Sequence, residues 1–125
     1  MNTMNGKFKA GNNIAMKVPP HEFEATVSFY RDIIALEELT SDEEHATPRF
    51  NFGGKVLWID CVEGCSQAEI WLEIVTDNLA EAAEHFKQAG ITRCDTIESL
   101  PNDFQGFWIS SSCNIIHLIC GEETT

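Results

Sequence analysis

The chain has 125 residues, 43% of them hydrophobic, and a formal net charge of −12. That length and apolar content suit one domain with a real core and exclude global disorder. Eight Lys and Arg stand against 20 Asp and Glu, which excludes nucleic acid and anionic membrane surfaces as partners, because both are bound through basic patches.

Met1 to Asn12 is a polar leader without periodicity and without the apolar segment of a secretory signal. Ile14, Met16 and Val18 then alternate with Asn13, Ala15 and Lys17, the period of a half-buried strand. Pro19-Pro20 ends it. The spacing of Phe23, Val27, Tyr30 and Ile34 predicts a helix from about Glu22 to Ala35, with Phe29 and Ile33 flanking the apolar face. Glu37 to Thr40 reads as a weak strand and Ser41 to His45 as a charged turn. Thr47 to Phe52 alternates loosely, and Gly53-Gly54 marks a hairpin turn. Lys55 to Val62 is a strand with Leu57, Ile59 and Cys61 on one face and Val56, Trp58, Asp60 and Val62 on the other.

Glu63 to Gln67 links this half to a second one in the same order. Ile70, Leu72 and Ile74 alternate with Glu69, Trp71, Glu73 and Val75. Asn78, with Glu81 three residues on, starts a helix, and Gly90 ends it. Leu79, Ala82, Ala83 and Phe86 line its apolar face. Strands are predicted at Thr92 to Glu98, Phe104 to Ser110 and Ile115 to Cys120. The order is β-α-β-β-β twice, about residues 12–62 and 69–120. The expected fold is α+β: two such modules forming a curved mixed sheet around a cleft, one helix on the outer face of each. The rows turned from the helices would line the cleft. They are Asn13, Ala15 and Lys17; Trp58 and Asp60; Glu69, Trp71 and Glu73; and Ile115, His117 and Ile119.

The paired order, Phe29-Tyr30-Arg31-Asp32 in the first helix, Asp77-Asn78-Leu79 opening the second with Gly90 closing it, and Ser112 to Leu118 at the end together resemble the vicinal oxygen chelate superfamily. That superfamily includes glyoxalase I, bleomycin-resistance proteins and extradiol dioxygenases. Its metal-using members take ligands from the first and last strands of each module. The resemblance puts those slots at Asn13, at Trp58 or Asp60, at Glu69 and at His117. Asn is a weak ligand and Trp is none, so the set is at best Asp60, Glu69 and His117, two carboxylates and an imidazole for a single divalent ion.

The sequence leaves two main functions open, beside a third in which side chains fill the cleft and the protein acts only by pairing with a partner. One is a bleomycin-resistance-like protein that binds a small cationic or aromatic molecule without chemistry, using Trp58, Asp60, Trp71, Glu73 and His117 and no cofactor. The other is a metal-dependent lyase, isomerase or dioxygenase on Asp60, Glu69 and His117. The resemblance also implies a homodimer. The five cysteines, Cys61, Cys65, Cys94, Cys113 and Cys120, include no CxxC pair and read as thiols of a cytoplasmic protein, Cys65 the most exposed. No run approaches the ~20 apolar residues that span a bilayer.

Overall fold

The structure, a computed structural model, describes residues 8–39 and 46–122, apart from the Cys113 side chain. The chain is α+β, with two α-helices and seven strands among the described residues. It divides into two compact units, Asn12–Trp71 and Met1–Gly11 with Leu72–Thr125. Strand β1 (Phe8–Val18) and strand β4 (Glu69–Thr76) each contribute residues to both. The predicted leader is therefore strand from Phe8 onward, and Met1 to Lys7 lie outside the described residues, as does the predicted turn Ser41 to His45.

In the Asn12–Trp71 unit, β1 lies parallel to β3 (Lys55–Cys61), which pairs antiparallel with β2 (Arg49–Phe52). Gly53 and Gly54, at φ 65° and 87°, make the β2–β3 turn that only a residue free of Cβ adopts cheaply. Helix α1 (Pro20–Ser28) begins two residues earlier than expected, because Pro20 sits at the first helical position, where no backbone donor is needed. The core is Val18, Val27, Phe50, Leu57 and Ile59, with Ile14, Met16, Phe23, Tyr30 and Leu36 packed on it.

The predicted helix face fails beyond Ser28. Phe29–Ile33 form a π-helical turn, with the Ile34 amide donating to the Phe29 carbonyl at 2.9 Å. The wider turn shifts the face. Phe29, Ile33 and Ile34 are left exposed, and Leu36 takes the core position expected of Ile34. Ala35 closes the turn at φ 61°, a left-handed conformation disfavoured for a residue with a Cβ. Ala35→Gly should therefore raise stability by about 0.5–1 kcal/mol, read as a higher urea midpoint at unchanged slope. Of the weak strand expected at Glu37 to Thr40, Thr40 lies outside the described residues and the rest forms a single bridge, Glu38 to Phe50.

The other unit repeats the internal order. Strand β4 is parallel to β7 (Ile116–Gly121), β7 is antiparallel to β6 (Gly106–Ser110), and β6 is antiparallel to the two-residue β5 (Thr92–Arg93). The predicted strand Thr92 to Glu98 stops early because the Asp95 carboxylate accepts the Trp108 amide at 3.1 Å and a turn follows. Helix α2 (Leu79–Gln88) is capped as expected, with Asn78 Oδ1 accepting the Glu81 amide at 3.0 Å. Its core is Ala82, Phe107, Ile109 and Ile119. A Cβ on Gly106 would lie 2.7 Å from the Ile119 carbonyl oxygen, so β6 approaches β7 there only as glycine.

Candidate functional site

Register alone separates the two faces of the Asn12–Trp71 sheet. Ile14 pairs with Leu57 and Met16 with Ile59 on the α1 side, so Ala15, Lys17, Trp58 and Asp60 point away from the helix. Arg49, paired with Trp58, joins them. This face carries an ordered set of polar contacts. Trp58 Nε1 donates to Asn13 Oδ1 at 2.7 Å. Lys17 Nζ donates to Asp60 Oδ2 at 2.8 Å, with the Lys17 side chain 6% exposed and that of Asp60 27%. The same ammonium lies 4.3 Å from the centroid of the Trp71 ring. Trp71 Nε1 donates to Glu69 Oε1 at 3.0 Å. The Arg49 guanidinium carbon lies 4.9 Å from the Trp58 ring centroid.

Lys17 and Arg49 were not among the sequence candidates. A lysine in an apolar strand, on the parity of the polar row, was the available signal for Lys17. Arg49 became legible only through the β2–β3 register.

Glu73 and His117 belong to the other unit. Glu73 is 9% exposed, and a Cβ on Gly11 would overlap its carboxylate, so the close approach of β1 there requires glycine. His117 corrects an expectation. It pairs with Leu72 and with Ile109, and its row includes Ile119, which packs against α2. Ile119 and His117 therefore share the helix side of the sheet, whereas Glu73 pairs with Leu118 on the opposite side. The expected common row of Glu73 with His117 does not exist, because both rows of β7 are apolar and alternation by itself did not choose between them. The His117 Nδ1 lies 3.2 Å from the Ile115 carbonyl.

The residues at the expected metal slots of the Asn12–Trp71 unit do not fit a divalent ion. A cation there would compete with the Lys17 ammonium for Asp60, and the Asn13 oxygen already faces an indole donor. Glu69 accepts from the Trp71 indole, and a single carboxylate is too little to hold a divalent ion. Among the described residues, no three His, Cys, Asp or Glu side chains gather as a metal set.

Cys61 is exposed and Cys65 half-buried, the reverse of the expected ranking. Cys61 ends β3, and Cys65 Sγ lies 3.3 Å from the Gln67 carbonyl. Burial, with Asp95 beside it, pushes the Cys94 thiol up from its ordinary value. No helix among the described residues is long and apolar enough to cross a membrane.

Comparison with protein-family models gives no match, and comparison with curated protein sequences gives none. Solved structures do match. A Mn(II)-bound glyoxalase from Novosphingobium aromaticivorans superposes with a TM-score of 0.65 at 16% identity over 93% of this chain. A glyoxalase/bleomycin resistance protein/dioxygenase superfamily member from Vibrio splendidus 12B01 gives 0.54 at 10% identity over 87% of this chain and 97% of its own. The chain has the vicinal oxygen chelate fold. A Legionella pneumophila protein described as an NAD-dependent benzaldehyde dehydrogenase also superposes, at 0.58 and 14% identity over 89% of this chain and 98% of its own. The chain spans 40% of the length of the Novosphingobium glyoxalase. Within this fold, identities so low speak for architecture and leave activity to the site.

Proposed function

We propose that the chain is a glyoxalase/bleomycin-resistance-like protein that binds a small aromatic molecule and carries out no chemistry on it. One observation supports this reading above the others: the Asn12–Trp71 residues at the expected ligand slots are bonded within the chain, Asn13 to Trp58, Asp60 to Lys17 and Glu69 to Trp71. What the helix-free face offers instead is two indoles set among polar groups, a surface for a flat ligand. Of the two ligand chemistries expected, the cationic one loses ground, because Lys17 and Arg49 already lie against the two indoles. Arg49 favours an aromatic molecule with an anionic substituent.

The rival is a metal-dependent enzyme on Asp60, Glu69 and His117. The Mn(II)-bound neighbour favours it, and the Lys17–Asp60 pair weighs against it. The two are separated by one set of measurements on the full chain. Titration with 2-naphthoate should quench tryptophan fluorescence saturably, and Trp71→Leu should weaken binding about tenfold. Protein purified without chelator should carry no stoichiometric metal. Stoichiometric Mn or Zn that is lost in His117→Ala or Asp60→Asn would overturn the binding reading.

The module division at about residues 12–62 and 69–120, a cytoplasmic location and a homodimer are part of the same proposal. The thiols of Cys61, Cys65 and Cys94 support a reducing compartment. Exposed Phe29, Ile33 and Ile34, with Ile33 73% accessible, support an apolar contact surface on the π-helical turn.

A further inference from the structure

The Met1–Gly11 with Leu72–Thr125 unit has an open, largely apolar pocket on the α2 side of its strands. Its volume is about 340 Å³, and its walls include Ile74, Ile91, Ile109 and Ile119, with His117 and Ser111 supplying polar atoms. Phe8, His85 and Phe86 form a third wall, their ring centroids 5.4–6.0 Å apart. It is distinct from the tryptophan face in both residues and chemistry. A hollow of this size lies at the small end of ligand pockets.

The polar groups set the class of ligand. A carbonyl can only accept, so the 3.2 Å contact with Ile115 is a hydrogen bond in the tautomer that carries its proton on His117 Nδ1. The tautomer with its proton on Nδ1 has Nε2 as an acceptor. Ser111 Oγ lies 3.3 Å from both the Ser112 and the Ile115 carbonyls and can give its one proton to either. His117 Nε2 and Ser111 Oγ can thus receive a hydroxyl proton, while four isoleucines and two phenylalanines receive an apolar body.

We infer that this pocket binds a small apolar molecule carrying one hydroxyl, of the size and kind of a short alkylphenol, with His117 as its acceptor. This site does not depend on the proposed function of the tryptophan face.

The test titrates ¹⁵N-labelled full-length protein with 4-propylphenol and, separately, with propylbenzene, which lacks the hydroxyl. Amide shifts should move at Ile74, His85, Ile91 and Ile119, and the Trp58 and Trp71 indole resonances should stay in place. The phenol should bind about tenfold more tightly than propylbenzene, the worth of one good hydrogen bond. His117→Phe should erase that difference while propylbenzene still binds. Ile91→Trp, at the half-buried rim, should abolish both. Shifts confined to the tryptophan indoles, no saturable binding to wild type, or an unchanged phenol preference in His117→Phe would each overturn the inference. The wild-type shift map decides the question even where a variant fails to fold, and failure of naphthoate binding at the tryptophans leaves it untouched.

Discussion

Asp60→Asn should cost about 2–3 kcal/mol of stability, and Lys17→Met should cost distinctly less. The reason is which partner is buried. The Lys17 side chain is 6% exposed and the Asp60 side chain 27%. Removing one member of a buried ion pair typically costs about 3–5 kcal/mol, because a desolvated charge loses its counter-charge. The exposure of Asp60 discounts that figure, since water reaches part of the carboxylate. In Asp60→Asn the ammonium stays buried over the Trp71 ring with a neutral amide in place of the Asp60 carboxylate. In Lys17→Met the charge itself goes, a chain of similar length keeps packing on Trp71, and the carboxylate turns to solvent. Urea denaturation of the two variants and the double variant gives the asymmetry and the coupling directly. Equal losses would mean that burial does not govern the pair. The same variants report on the site: Asp60→Asn should alter the Trp71 fluorescence, because the cation over that ring loses one of its tethers.

Phe50→Ala should be the most damaging single change, about 3–5 kcal/mol. Phe50 is 0% exposed and belongs to the Asn12–Trp71 core with Leu57 and Ile59. It pairs with Leu57 across the hairpin, and its ring lies 6.1 Å from that of Tyr30. Glu38 makes its one bridge to the same residue. The substitution would open a cavity where β2, β3, the π-helical turn and the segment after it meet, and a loss of that size is a large share of a small domain's stability. It should reach function too. Arg49, next in sequence, lies against Trp58, so a loosened β2 should reduce the near-ultraviolet tryptophan signal along with the thermal midpoint. Phe50→Leu, which keeps most of the volume, should lose about half as much.

Much of the architecture was legible in the chain because it rests on local rules. Gly53-Gly54 reads as a tight hairpin because two adjacent residues need positive φ. Asn78 reads as a helix cap because its side chain can take an orphan amide. Alternation in β1 and β3 placed Leu57 and Ile59 inside and Trp58 and Asp60 outside. The π-helical turn was not legible. A period of 3.6 predicts a face for Ile34, and one widened turn moves that face to Leu36. The short β5 was not legible either, since the Asp95 carboxylate takes an amide that a continued ladder would have used.

For the candidate site the division is sharper. Sequence by itself determined the α+β order, the repeat, and which side chains could do chemistry. It put Lys17 on the row of Asn13 and Trp58 without giving it a role. Tertiary structure decided what those side chains do with one another. The register of β1 on β3 places Lys17 beside Asp60, and the register of β6 and β4 on β7 puts His117 on the helix side. A period of two fixes that neighbouring residues face opposite ways. It does not say which way is inward where both rows are apolar, nor which partner strand supplies the charge across the gap. Those choices belong to the pairing of segments dozens of residues apart.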